Sequence, residues 1–262
     1  MKKMLLLLMF LAPVLALAQS SPFDGTWKVD MKKAQLSRKP EVFLLQNGMY
    51  SCKTCVPPYE VKADGTDQNV TGDPYASTVA VKVVDDHNVD TTGKKDGKVT
   101  FSSKSMVSSD GNMLTVDWSY NGNAQGGPVT GKDVLRRIAK GPADANLISG
   151  SWRDEKTEDM PESALTFTYK SNGDEYSYST PTGQSYTAKL GGGEAPYKGD
   201  PGTTSVSLKK ISDHIIEETD MRDGKVSAVA RLTVSPDGKK MTIEVTDKLH
   251  GTTSRFIADK QS

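Results

Sequence analysis

The chain contains one stretch of sequence twice. Residues 72–119 and residues 199–246 align without a gap, and 17 of these 48 positions are identical. Many of the remaining positions exchange Val for Leu, Asp for Glu or Ser for Thr. Self-similarity over such a length predicts two copies of one folding unit. The repeat therefore constrains the architecture of the protein much more than its activity.

Both copies have the pattern of short β-strands joined by tight turns. Apolar and polar residues alternate in 78–83 and again in 205–208, which is typical of a strand with one buried face. Asp96-Gly97 and Asp223-Gly224 predict hairpins whose turn residues need positive φ angles. About eight such strands per copy, at regular spacing, favour an all-β fold of two tandem antiparallel up-and-down meander barrels.

The first residues have the composition of a secretory signal. Lys2 and Lys3 precede the apolar run Met4–Leu15, and Ala16-Leu17-Ala18 is a small-x-small cleavage site. The sequence thus predicts a signal peptide over residues 1–18, cut after Ala18, and a secreted or periplasmic mature protein. No later apolar run is long enough to predict a membrane span in the mature chain.

The mature chain is long enough for two domains of ordinary size. The repeat places the first at residues 19–139 and the second at 148–262, with a short polar linker at 140–147. Without Lys2 and Lys3, the acidic residues exceed the basic ones by two. Binding to nucleic acid or to an anionic membrane surface requires a concentrated positive charge, so we expect neither partner. The sequence leaves the oligomeric state open.

The two cysteines, Cys52 and Cys55, stand in a Cys-x-x-Cys arrangement. An even cysteine count in an exported chain favours a disulfide. A redox pair would need a helix directly after the motif, but Val56-Pro57-Pro58 follows. Haem attachment would need His where Val56 stands, and structural zinc would need further ligands. We expect a structural disulfide and no cofactor.

The histidines and the known catalytic motifs give no clear signal for a chemical site. His87 and His214 occupy matching positions of the repeat, each after an Asp, but no spacing in the sequence completes a metal site. The sequence has no Gly-x-Ser-x-Gly nucleophile motif and no phosphate-binding loop. We therefore predict no metal ligands and no catalytic residues, and interpret the protein as a non-enzyme.

Gly25-Thr26-Trp27 and Gly150-Ser151-Trp152 resemble the first strand of the lipocalin and fatty-acid-binding-protein (calycin-type) barrels. In that group the Trp closes one end of the barrel, and in lipocalins a basic side chain late in the barrel lies across the ring. Such a cation–π contact contributes about 1–2 kcal/mol when partly desolvated. The chain as a whole also resembles uncharacterised secreted bacterial proteins. The residues for which the resemblance implies structural roles are Trp27, Trp152, Arg136 or Arg137, and Arg255.

An eight-stranded barrel is either filled by side chains or holds one small ligand. We expect an exported, non-catalytic binding protein for a small apolar or amphipathic ligand. The alternative is a structural or protein-interaction module of the cell envelope without such a ligand, in which the same inward residues only fill the core. The copies differ at Cys52–Pro58 and at the loop Asn121–Pro128, and we expect the function to lie in these regions. The candidate ligand-binding residues are Val79, Val81, Val83, Leu114, Val116, Trp118, Val206, Leu208, Ile243 and Val245.

Overall fold

The computed structural model describes residues 21–36 and 39–262. The predicted signal peptide and its cleavage site lie outside the described residues. Within them the chain is nearly all β and forms two antiparallel, nearly closed barrel-like sheets. The predicted fold class is confirmed, although each sheet has ten strands and not about eight. No helix among the described residues has the length and apolar character needed to cross a membrane.

The first half of the described chain forms ten strands and one 3-10 turn at Met31–Lys33. The strands are β1 (Gly25–Val29), β2 (Glu41–Gln46), β3 (Met49–Cys52), β4 (Tyr59–Lys62), β5 (Gln68–Asn69), β6 (Thr78–Val83), β7 (Asn88–Lys95), β8 (Lys98–Val107), β9 (Met113–Tyr120) and β10 (Val129–Lys140).

The second half repeats this order, with the short helix α1 (Glu162–Leu165) near the position of the 3-10 turn. The strands are β11 (Gly150–Glu158), β12 (Thr166–Asn172), β13 (Glu175–Ser179), β14 (Ser185–Lys189), β15 (Ala195–Pro196), β16 (Ser205–Ser212), β17 (Ile215–Arg222), β18 (Lys225–Val234), β19 (Lys240–Asp247) and β20 (Thr252–Lys260).

The first strand of each copy lies in the sheet of the other copy. Strand β1 pairs with β12 and β20, whereas β11 pairs with β10 and β2. The first barrel is therefore the continuous run β2–β11, and the second barrel is β12–β20 completed by β1. Residues 140–147, expected to link two domains, form most of the connection between β10 and β11 inside the first barrel. The chain passes from one barrel to the other between Val29 and Glu41 and again between Glu158 and Thr166.

The Gly-x-Trp strands anchor both barrels. Trp27 and Trp152 are fully buried, and their indole N–H groups donate to the carbonyls of Phe23 and Ile148, both at 2.8 Å. Each preceding glycine has a positive φ, +126° at Gly25 and +131° at Gly150, a conformation that side chains rarely adopt. A Cβ at Gly150 would also lie 2.3 Å from the carbonyl oxygen of Ala139. The repeated glycine therefore has a steric cause.

A basic side chain covers each buried Trp, and in each barrel it comes from the other sequence copy than the Trp does. The Arg137 guanidinium lies 3.9 Å from the ring centre of Trp152, and Lys260 Nζ lies 5.2 Å from that of Trp27. Lys260 therefore takes the place expected for Arg255, because β1 pairs with the end of β20 and not with its middle. The Arg255 side chain is instead 3.8 Å from Glu244. Arg136 faces outward and pairs with Glu155 at 2.7 Å.

The two edges of each sheet meet through a few backbone bonds. In the first barrel the Gly65 N–H donates to the Val81 carbonyl at 2.8 Å. In the second barrel the Gly191 N–H donates to the Leu208 carbonyl at 2.7 Å. These contacts cover strand edges that would otherwise be open to pairing with other chains.

The strand exchange predicts which barrel each Trp stabilises. Replacing Trp27 by Ala should lower the free energy of unfolding by about 3–5 kcal/mol, because it leaves a large hole in the second core. Hydrogen exchange should then accelerate in β12 and β20 while β2 and β10 stay protected. Trp152→Ala is the matched variant and should give the opposite pattern. Faster hydrogen exchange in β2 and β10 of the Trp27 variant would contradict the placement of β1 in the second barrel.

Candidate functional site

A cavity with a volume of about 760 Å³ is lined by residues of both barrels. Leu232 on β18 and Ile243 and Val245 on β19 line it from inside the second barrel. Trp118 and Tyr120, at the end of β9, line it from the first barrel. This volume is in the range of small-molecule binding sites in proteins.

The first barrel is filled where the second is open. In the first barrel Gly93 pairs with Phe101 across β7 and β8, and the Phe101 ring occupies the space that a side chain at Gly93 would need. The equivalent pair of the second copy is Asp220 and Ala228. Replacement of the large aromatic residue by Ala leaves room for the side chain of Asp220.

A second aromatic–glycine pair lies nearby. Trp118 faces Gly131 across β9 and β10, and its ring lies 2.4 Å from where a Cβ of Gly131 would be. In the second copy the corresponding pair is Val245 and Ser254. Aromatic rings laid over glycine thus fill the end of the first barrel, and smaller side chains at the matching positions help to leave the second barrel open.

Loops of the first copy complete the mouth of the cavity. The Tyr75 hydroxyl donates to Asp200 Oδ1 at 3.0 Å, and the Tyr75 ring meets Tyr120 edge-to-face with centres 5.8 Å apart. Asn123 also lines the cavity, and the neighbouring Gln125 N–H donates to the Thr182 carbonyl at 3.1 Å. The cavity is therefore formed by residues of both copies.

Tyrosines form one wall. Tyr178 stacks on Tyr186 with ring centres 5.1 Å apart and meets Tyr169 at 5.3 Å. Tyr197 lies 5.7 Å from Tyr186 and 6.3 Å from Tyr178. Packed rings hold one another in place, and offset or tilted pairs of this kind contribute about 0.5–1.5 kcal/mol each beyond their buried area. Tyr169, Tyr178 and Tyr197 reach the cavity surface.

Two carboxyl groups project into the cavity from β17. Glu218 and Asp220 are two residues apart, which places both side chains on the inner face of the strand. Glu218 Oε2 accepts hydrogen bonds from the Tyr169 hydroxyl, at 3.0 Å, and from the Tyr186 hydroxyl. The Glu218 and Asp220 carboxyl groups are close enough to affect each other's pKa. The buried Oδ1 of Asp220 has no hydrogen-bond partner.

Burial favours keeping one proton on this pair near neutral pH. Burial raises the pKa of Asp220 to about 8, and the negative charges of Glu218 and Asp200 add to this effect. Burial also raises the pKa of Glu218, although the hydrogen bonds from Tyr186 and Tyr169 favour its ionised form. We assign the proton to Asp220, because the hydrogen bonds from the two tyrosines favour the ionised form of Glu218.

The predicted ligand-binding residues fall into three groups. Trp118, Ile243 and Val245 line the cavity. Val83 is 39% exposed on the surface. The others lie within or against the packed cores, away from the cavity: Val79, Val81, Leu114, Val116, Val206 and Leu208.

Sequence reasoning missed the tyrosine wall and the acid pair. One signal for the pair was in the repeat itself, since Thr91 and Gly93 of the first copy align with Glu218 and Asp220 of the second. Of the two regions singled out by differences between the copies, Asn121–Pro128 contributes Asn123 to the cavity, whereas Cys52–Pro58 does not line it.

The cysteines and histidines considered as candidate chemical groups lie in a disulfide or in turns between strands. Cys52 and Cys55 form a disulfide, with Cys52 fully buried in the first core. The His87 ring Nδ1 lies 2.8 Å from the Val107 carbonyl, and His214 takes the matching place before β17. Among the described residues no group of three or more His, Cys, Asp or Glu side chains is placed to hold a metal ion.

No protein-family model and no curated protein matches the sequence of this chain.

The acid pair makes stability depend on pH. Because Glu218 and Asp220 have raised pKa values in the folded protein, the folded state binds more protons than the unfolded chain between about pH 5 and 8. The free energy of unfolding should therefore fall as the pH rises through this window, by up to about 1.4 kcal/mol per pH unit for one proton. Below about pH 6, Asp154 adds to the slope, since burial raises its pKa to about 6.

Urea unfolding at pH 6, 7 and 8 measures this slope. Asp220→Asn should reduce it, because the amide has no proton to lose. Glu217→Gln, on the outer face of the same strand, should leave it in place. An unchanged slope in the Asp220 variant would show that the pair does not titrate in this range.

Proposed function

We propose that the protein is an exported, non-catalytic binding protein for a small apolar or amphipathic molecule. The observation that carries this proposal is the 760 Å³ cavity, which has mostly aromatic and aliphatic walls and a few convergent polar groups. Binding sites for small molecules have this composition. Export is supported by the signal-like residues 1–18 and by the Cys52–Cys55 disulfide, which suits an oxidising compartment.

The divergence of the two copies supports the same function. A protein that only spaces or joins other envelope components gains nothing from a large cavity, because unfilled space loses packing contacts. The first copy fills the corresponding region with Phe101 and Trp118, so the fold itself does not demand the opening. The resemblance of the Gly-x-Trp strands to lipocalins agrees with a ligand held at the open end of a barrel.

Acid–base catalysis is a second candidate, favoured by the raised pKa of Asp220. Glycoside hydrolysis would require the two carboxyl groups to lie about 5–9.5 Å apart, on either side of the bond that is cleaved. Turnover of nitrophenyl ester or glycoside substrates that Asp220→Asn abolishes would support catalysis. Equal background rates in both proteins would argue against it.

Binding is tested with the neutral fluorescent probe N-phenyl-1-naphthylamine. We expect saturable binding of one probe per chain. Val245→Trp should weaken it by about tenfold or more, because a Trp ring at this position fills the cavity as Trp118 fills the first barrel. Val226→Trp is the matched control, since Val226 is 44% exposed on the neighbouring strand. Binding that is absent, or equal in the two variants, would refute the proposed site.

A further inference from the structure

We propose that the molecule bound in this cavity is an organic amine, with its protonated amino group held by Glu218 and Asp220 and its apolar body against the tyrosine wall. The inference rests on the proposed binding function and specifies the class of ligand.

The charges around the cavity all have one sign. Four carboxyl groups line it, belonging to Asp73, Asp200, Glu218 and Asp220. Among the described residues that line the cavity there is no Lys, Arg or His. A cavity with acidic groups and low-dielectric walls concentrates cations and repels anions. A fatty acid or another carboxylate would therefore meet repulsion from every charged group in the cavity.

Among the described residues, no basic side chain compensates the charge of Glu218 or Asp220. Glu218 is 9% exposed, and its charge is compensated by hydroxyl groups. Asp200 accepts bonds from the Tyr75 hydroxyl and the Gly202 N–H, neither of which is charged. Buried carboxylates in proteins are normally paired with a cation. A ligand ammonium would supply the missing charge and a donor for the Asp220 oxygen that has no other partner.

The tyrosine wall suits the same group of ligands. Tyr178 and Tyr197 line the cavity, and both lie close enough to Glu218 and Asp220 for the acids to affect the pKa values of their hydroxyl groups. Aromatic faces attract cations within about 6 Å of the ring centre, most strongly when the site is desolvated. The apolar remainder of the ligand would contact Leu232, Ile243 and Trp118.

Amine binding must be linked to proton release. An ammonium group favours two ionised carboxylates over a protonated pair, so its binding expels the proton from Asp220. The groups that face Asp220 are Glu218 on the same strand, Tyr178 on β13, and Tyr197 and Asp200 in the segment between β15 and β16. All of them are acidic or neutral, so none supplies a competing positive charge. The affinity for an amine should therefore rise with pH between about 6 and 8.

Three probes of one shape separate charge from size: tryptamine, tryptophol and indole-3-propionate. Isothermal titration calorimetry at pH 7, in two buffers of different ionisation enthalpy, measures affinity and proton release together. We expect tryptamine to bind at least about tenfold more tightly than the other two and to release about one proton per molecule bound. Asp220→Asn should lose most of this preference and the proton release, whereas Glu217→Gln should keep both.

The outcomes distinguish the ligand class from the binding function. Equal binding of tryptophol, tighter binding of indole-3-propionate, or no proton release with tryptamine would overturn the amine while leaving a binding protein. So would failure of all three probes when N-phenyl-1-naphthylamine still binds. Failure of that neutral probe as well would overturn both proposals. Glu218→Gln serves as a second variant if Asp220→Asn does not fold, and the same loss of preference is expected.

Discussion

Burial of two tryptophans on exchanged strands holds the molecule together. Each Gly-x-Trp strand completes the barrel formed by the other copy, so each core contains the Trp of its partner. The second barrel consequently depends on β1 at the start of the described chain, and the chain crosses between the barrels twice. Strand exchange joins the two sequence copies through backbone hydrogen bonds, since β1 pairs with β12 and β20 of the second copy and β11 pairs with β10 and β2 of the first. In the same structure, aromatic residues at the end of the first barrel border the cavity of the second.

The contrast between the copies explains how one architecture produces a packed barrel and an open one. Phe101 over Gly93 and Trp118 over Gly131 fill the first barrel, because a ring laid over glycine occupies the volume of two ordinary side chains. In the second copy these positions carry Asp220, Ala228, Val245 and Ser254, and none of these side chains has the volume of an aromatic ring. The strands and turns are unaffected, since the exchanges concern inward side chains and not the backbone ladder.

The acid pair in the cavity is unfavourable for folding at neutral and alkaline pH. Two adjacent carboxyl groups in an apolar enclosure cost free energy that hydrogen bonds from Tyr169 and Tyr186 offset only in part. Active and binding sites often keep such groups because function depends on them. The tyrosine cluster has a double role here, since its hydroxyl groups stabilise Glu218 while its rings form the wall that a ligand would contact.

By itself, the sequence determined the all-β class, the positions of most strands, the turns and the doubling of the unit, because period-two alternation and turn residues act locally. Tertiary structure decided the partner of each Gly-x-Trp strand. Both copies have this strand, so the local pattern allows either pairing. The connection between β10 and β11 is short, which makes the two strands antiparallel neighbours. The second barrel is then completed by β1. Tertiary structure also decided where the site lies. Alternation in the sequence identified Ile243 and Val245 as inward-facing, but only the packing of Phe101 and Trp118 shows which barrel remains open.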